Sequence, residues 1–238
     1  MKIKQKILAA CILPVVLSVV SVGATKGAYA REGRPIKSVL MWGNASQGQA
    51  VPGLRQALAP FAGKIKNGVS LEFSSITQMP DGNSANGVSG RIWLKDKLFR
   101  IFFSGIDAAY DGQYLRSVDS EQGTYTIAIP SQQDLLLLSP LSLLQNPQAH
   151  FTVSPINGKP GEYAYKAVPK GKEFAGVEYF ELCVNASSGM PSTLKLKAST
   201  QEEILYRVLS VKDRPTLNAY DFTYQARETR GLEFIDLR

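Results

Sequence analysis

From Val69 to the end of the chain, apolar residues recur with a period of two, and that alternation restricts the fold more than any other feature. Val69, Leu71 and Phe73 face one way while Ser70, Glu72 and Ser74 face the other, as in a strand with one buried and one wet face. Asp81-Gly82-Asn83 supplies a turn, residues 87–95 and 97–103 form a pair across Asp96, and residues 113–118 and 123–129 form another around Ser120-Glu121-Gln122-Gly123. Further strands are predicted at 149–154, 162–168, 175–184, 191–198, 203–212 and 232–236, separated by Gly, Pro, Asn and Ser. Ten or eleven strands follow with no strand–helix alternation, which argues against a parallel α/β sheet.

Two segments depart from that period. Leu54, Leu58, Phe61, Ala62 and Ile65 recur at spacings of three and four, with Arg55, Lys64 and Lys66 elsewhere on the wheel, so one amphipathic helix is predicted from Pro52 to Ile65, stopped at Asn67-Gly68. The second is Asp134 to Leu144, where seven leucines crowd eleven residues. Pro140 breaks any continuous helix there, so two short turns hinged at Ser139-Pro140 are expected. Those leucines either fill the core or cover a curved, partly open sheet, because a sheet of this many strands does not close tightly around a filled interior.

Residues 1–30 carry Lys2, Lys4 and Lys6, then an apolar stretch from Ile7 to Val22, and end on Ala28-Tyr29-Ala30, the order of a cleaved export signal. The mature chain is expected to begin at Arg31. An uncleaved anchor is the alternative for an apolar run of this length. Leu8-Ala9-Ala10-Cys11 fits a lipidation motif by letter, but the main apolar run lies on the wrong side of Cys11. Four of the 27 basic residues sit in this leader, leaving 23 against 20 acidic ones and a net charge near +3 instead of +7. No basic block with interleaved aromatics remains to argue for nucleic acid. Cys183 is the one cysteine beyond the leader, so no internal disulfide can form and a disulfide-free monomer is expected. Residues 31–48 mix Arg, Gly, Pro, Asn, Ser and Gln without periodicity, with Trp42 as their bulky side chain, and read as a flexible tether to a single domain at 49–238.

Several short pieces share one pattern: Ile76-Thr77-Gln78, Gly90-Arg91-Ile92-Trp93-Leu94-Lys95, Phe99-Arg100, Asp111-Gly112 and the terminal Ile235-Asp236-Leu237-Arg238. In this order and spacing the chain resembles the LolA-type periplasmic lipoprotein carriers, in the form found in the Bacteroidetes branch, over roughly residues 69–238. The resemblance implies a mainly β (α+β) fold: an incomplete antiparallel β-barrel of about 11 strands with a helical lid over an apolar cavity. It implies a periplasmic carrier, not an enzyme, with no cofactor. The acyl chains of lipoproteins released at the inner membrane would be its cargo, a Lol-type ABC transporter there its donor, and an outer-membrane acceptor the destination. Each buried methylene is worth about 0.8 kcal/mol, so acyl chains cannot cross an aqueous compartment unshielded. On that picture the alternation assigns Leu71, Phe73, Ile92, Leu94, Phe99, Ile101 and Phe103 to the cavity wall, and Leu135, Leu136, Leu138, Leu141 and Leu144 to the lid. The opposite parity carries Arg91, Trp93, Lys95 and Arg100, leaving Trp93 and Phe102 unusually exposed on an outer face.

One departure from the family stands at Asp96. Proteobacterial members place an Arg directly after the Trp-x-Lys of this strand, where it latches the lid onto backbone carbonyls, and a carboxylate lacks the donors for that. Lys95, Lys97 and Arg100 are the nearby candidates to replace it; otherwise apolar packing must hold the lid. Two other function classes compete. A hydrolase would have to use His150, the one histidine, without a Gly-x-Ser-x-Gly elbow, and Cys183 sits mid-strand between Leu182 and Val184. These two are better read as a solvated strand-edge histidine and a strand thiol on a packed layer. A binding protein of the same shape for another lipid or apolar ligand fits the sequence as well. Export makes the first prediction: intact-mass measurement of the secreted protein should give a chain starting at Arg31, and a mass retaining Met1, or acyl groups on Cys11, would defeat it.

Overall fold

The computed structural model describes residues 51–84, 87–139 and 147–238. The leader, the 31–48 segment with Trp42, Leu141 and Leu144 lie outside them. Where one helix was expected at 52–65 there are two, α1 (Leu54–Ala57) and α2 (Ala59–Asn67). Pro60 sits in the first turn of α2; in a continuous helix its ring would meet the carbonyl four residues back, so Leu58 takes φ −90°, ψ 0° and divides the pair. Gly68 then ends α2 at φ 98°. It is sterically fixed as glycine, since a Cβ there would stand 2.5 Å from the Arg214 carbonyl oxygen.

The strands are β1 (Val69–Gln78), β2 (Val88–Lys95), β3 (Leu98–Phe103), β4 (Ile106–Tyr110), β5 (Leu115–Asp119) and β6 (Thr124–Ala128). After α3 (Gln132–Leu138) and α4 (Pro147–His150) come β7 (Phe151–Ile156), β8 (Glu162–Pro169), β9 (Val177–Asn185), β10 (Pro191–Ala198), β11 (Glu203–Asp213) and β12 (Glu233–Leu237). Short 3₁₀ turns occupy Lys172–Phe174 and Ala219–Phe222. Strand β4 is absent from the sequence reading because Ile106-Asp107-Ala108-Ala109-Tyr110 shows no clear alternation. Its hairpin from β3 is a two-residue turn with positive φ at both Ser104 and Gly105, the geometry that matches strand twist.

All twelve strands among the described residues form one sheet in the order β12-β6-β5-β4-β3-β2-β1-β11-β10-β9-β8-β7. It is open, with β7 and β12 at its edges. The expectation of a wholly antiparallel sheet needs one correction, because β12 runs parallel to β6; the chain reaches it through a long crossing of the sheet and not by a hairpin. Near the middle, β1 pairs Glu72 with Ser210 but Phe73 with Val208. That leaves Leu209 as a bulge, 61% exposed, and a bulge at this point bends and twists the strand pair.

The two faces are covered by different elements. Leu54, Leu58, Phe61 and Ile65 of the first helices are buried with the inner-face residues of β1–β3 and β8–β11 in one core. The Tyr165 hydroxyl on β8 donates to the Pro52 carbonyl at 2.7 Å, and Asp96 N–H at the β2–β3 turn donates to the Ile65 carbonyl at 3.2 Å, so this helical pair spans the middle of the sheet.

The outer face of β2–β4 lies under the segment that leads to β12. Arg100, predicted to be wet, is buried there. Its guanidinium donates to both Asp107 carboxylate oxygens at 2.9 and 2.6 Å, to Glu228 at 3.1 Å, and to the carbonyls of Asp221 and Thr223. The Tyr224 hydroxyl donates to the Asp107 carbonyl. Arg214 stacks on Trp93 at 4.0 Å, and Phe102 meets the same ring edge-on at 4.8 Å, so the aromatic pair that alternation left exposed is covered.

This clasp yields the second prediction. Removing one partner of a buried ion pair strands the other, so Arg100→Ala should lower unfolding stability by about 3 kcal/mol in urea titrations. Burial pushes the Glu228 carboxyl up, but the Gln225 N–H and the Arg100 guanidinium outweigh it and hold it below the ordinary value. Protons then bind more readily to the unfolded chain, so this contribution is present above about pH 4.3 and is lost as pH falls through the depressed folded value. Glu228→Gln should flatten that acid-side decline, and an unchanged slope would sever Glu228 from the clasp.

Candidate functional site

The inner face of β1–β6 is built of cross-strand rows set by register. In one row Leu71 stands beside Ile92, Ile101, Ala108, Ser117 and Thr126. In the next, Phe73 stands beside Gly90, Phe103, Ile106, Asp119 and Thr124. Val69, Leu94, Phe99, Tyr110 and Leu115 form the third. Of the residues that alternation assigned inward, Leu71, Phe73, Ile92, Leu94, Phe99 and Ile101 are buried in the common core, and Phe103 is half-buried against it. In the first two rows the residues on β5 and β6 are polar, Ser117 and Thr126, Asp119 and Thr124, whereas the third stays apolar there with Leu115 and Ala128.

Helix α3 closes over these rows. A reciprocal cap starts it: Asp134 N–H donates to the Ser131 hydroxyl at 3.2 Å, and Ser131 N–H donates to the Asp134 carboxylate at 2.8 Å, which satisfies two otherwise orphaned donors. At this end Gln133 lies so close to Gly176 that a Cβ there would stand 2.6 Å from its Nε2. At the other end Leu138 reaches the wall of β3–β6. The helix therefore bridges from the β8–β9 connection to the β3–β6 half of the sheet. Leu135, Leu136 and Leu138 are all buried.

Where Leu138 meets the sheet, a cleft with a cavity volume of about 40 Å³ remains. Phe103, Ile106, Ala108, Leu115, Leu138 and Ile235 supply its apolar lining, and Ser117, Asp119, Gln122, Thr124 and Thr126 its polar lining. Sequence reasoning missed the polar half, along with Ile106, Leu115 and Ile235. The signal was present in the alternation of Leu115, Ser117 and Asp119 against Arg116 and Val118, but without β4 the parity could not be carried across from β3.

The replacements considered for the family's latching Arg do not hold α3. Lys95 donates to the Leu217 carbonyl and Arg100 serves the Asp107–Glu228 clasp, so both tie down the outer-face segment. Lys97 is exposed in the β2–β3 turn. Among the described residues, contacts of α3 include its cap, the approach of Gln133 to Gly176 and its buried leucines. His150 is also placed differently from the expectation: it ends helix α4 and packs edge-on against Phe174 at 5.6 Å. Cys183 is half-buried on β9, and burial pushes its thiol up. Among the described residues no three of His, Cys, Asp and Glu stand together as a metal-binding group.

No protein-family model and no curated protein matches the chain. Solved structures do. The chain is similar to an uncharacterized conserved protein from Thermus thermophilus, with 9% identity over 76% of this chain and 98% of that one at a TM-score of 0.49. It is also similar to a LolA superfamily protein from Nitrosomonas europaea, with 12% identity over 73% and 98% at a TM-score of 0.43. A third is LprF from Mycobacterium bovis, with 10% identity over 70% and 99% at a TM-score of 0.33. The architecture described above is mainly β, an open sheet with few helices among the described residues.

Gly90 offers a test of how tightly the inner rows are packed. A Cβ there would stand 2.5 Å from Phe73 Cζ and 2.8 Å from the Phe102 carbonyl oxygen, so Gly90→Ala should cost about 1–3 kcal/mol in denaturant titrations by overpacking. Adding Phe73→Leu should recover part of that loss. A double variant no more stable than Gly90→Ala alone would mean that the Phe73 ring is not what fills the space over Gly90.

Proposed function

We propose that this protein is an exported carrier whose inner sheet face and α3 enclose the acyl chains of lipoproteins released from the inner membrane and deliver them toward the outer membrane. The observation that carries the proposal is the arrangement of α3: a self-capped helix bridging an open sheet, with Leu135, Leu136 and Leu138 on the apolar rows and a cleft at the Leu138 end. The cleft volume of about 40 Å³ is well below the ~300–1,000 Å³ of ligand pockets. In this reading the cleft widens on uptake, and Leu138, which lines it, occupies space that cargo would take. Uptake requires α3 to move outward, and release follows when its leucines return. Residues Leu71, Phe73, Ile92, Leu94, Phe99, Ile101 and Phe103 are the wall in this reading, with Leu141 and Leu144 extending the cover. The compartment is the periplasm, the donor an ABC transporter of the Lol type, and the acting unit the single domain at 49–238. Acyl chains of another lipid are the second reading, favoured by the hydroxylic half of the cleft.

Two neighbouring leucines separate a movable cover from a fixed core. Leu136 is 1% exposed and is not part of the cleft, whereas Leu138 lines it. A guanidinium at 136 has no route to water and should unfold the domain, whose whole stability is about 5–15 kcal/mol. At 138 it can extend through the cleft into solvent. Leu138→Arg should therefore melt cooperatively like the parent yet fail to release lipoprotein from spheroplasts. If it folds and carries lipoprotein normally, α3 is not the cover. Mass spectrometry of lipid co-purified with the parent protein distinguishes acylated lipoprotein from other cargo.

A further inference from the structure

The cleft beneath Leu138 has a chemically mixed lining that selects among amphiphiles. Resting on the carrier reading above, we infer that Asp119 makes the site reject lipids with an anionic head and accept those whose head is uncharged and hydroxyl- or amide-bearing. Three observations support this. The cleft is chemically mixed: β3, β4 and α3 contribute Phe103, Ile106, Ala108 and Leu138, while β5 and β6 contribute Ser117, Thr124 and Thr126, flanked by Leu115 and Ile235. A chain that lay along the first group would bring its head to the hydroxyls of the second. Second, among the described residues the lining includes a carboxylate, Asp119, and no Lys, Arg or His. Third, that carboxylate is fixed in place: its Oδ1 accepts from the backbone N–H groups of Glu121 and Gln122, each at 2.9 Å. Glu233, at the start of β12, pairs in register with Thr124 on the same row as Asp119, so the second charge on this row has the same sign.

A uniform apolar cavity would fill with whatever lipid is most abundant, and most membrane lipids carry a phosphate. A fixed negative charge where the head must sit disfavours phosphate and carboxylate through like-charge repulsion, while hydroxyls on Ser117, Thr124 and Thr126 can donate to and accept from ester, amide and hydroxyl groups. The acylated glyceryl end of a lipoprotein carries no charge, so the same polarity that excludes bulk phospholipid admits it.

The test uses the secreted full chain and displacement of the neutral dye N-phenyl-1-naphthylamine by ligands of one chain length: monomyristoylglycerol, methyl myristate and myristate, below micelle formation at neutral pH. Monomyristoylglycerol and methyl myristate should displace the dye at concentrations about tenfold or more below myristate. Asp119→Asn, which keeps the acceptor oxygen for the Glu121 and Gln122 N–H groups, should abolish most of that gap by improving myristate alone. Equal displacement by all three ligands in the parent protein overturns the charge selection but leaves acyl binding standing. A gap that persists unchanged in a folded Asp119→Asn also overturns it, since something other than Asp119 then discriminates. Displacement by none of the three overturns the carrier reading together with the inference.

Discussion

Everything in this fold follows from one constraint: a sheet of twelve strands that does not close has an apolar inner face too wide for any single helix to bury. Rows led by Val69, Leu71 and Phe73 run across β1–β6, and Leu182, Leu194 and Leu196 continue the apolar surface through β9 and β10. The chain meets the demand with two covers of different character. The α1–α2 pair is held by named polar contacts at both ends, Tyr165 to Pro52 and Asp96 to Ile65, and its large side chains are almost wholly buried. Helix α3 has its own cap but reaches the sheet chiefly through leucines. Apolar contact is non-directional and can be remade in more than one arrangement, whereas a set of hydrogen bonds at fixed geometry cannot.

The outer face solves a separate problem. Strand β12 has to lie parallel to β6, and a parallel neighbour cannot be reached by a tight turn, so the chain crosses the outside of β2–β4 after β11. That crossing is fastened where Arg100 meets Asp107, Glu228 and two carbonyls, with Tyr224 closing on Asp107. Burial of Tyr224 holds its phenol protonated well above the ordinary range, so its O–H remains a donor. Ion pairs of this burial add little net stability, because desolvation offsets much of their attraction, but breaking one is costly. Here the arrangement brings Ile235 into the cleft, linking a clasp on one face of the sheet to a site on the other.

Much of this was legible in the residues, and the failures have identifiable physical origins. Period-two runs located eleven of the strands, and the parity of β1–β3 placed the large inner side chains, because half-buried antiparallel strands write their environment into alternation. Strand β4 escaped because Ala108 and Ala109 are both buried, one on each face, so alternation vanishes where both sides are covered. The same covering explains Trp93, Phe102 and Arg100, which alternation sent to water. Whether a face is wet depends on a segment more than a hundred residues later in the chain, and no local pattern encodes that. The break at Leu58 was readable from Pro60 in principle, since a proline in the first turn of α2 ends the helix before it. The polar half of the cleft was lost with β4, through which its parity had to be counted.

In the carrier reading proposed above, release matters as much as binding. Each methylene withdrawn from water contributes about 0.8 kcal/mol, so a full acyl chain in a preformed dry cavity would be retained far longer than transport allows. On the same carrier reading, cargo has to displace Leu138 and its neighbours from surface they already cover, and only the difference between the two sets of contacts favours binding. In that reading the apolar side chains of α3 act as an internal competitor whose strength is set by how many of them stay on the sheet. Leu135, Leu136 and Leu138 lie buried on one short helix, and in the proposed reading they are the surface that an acyl chain displaces and that covers the sheet again on release.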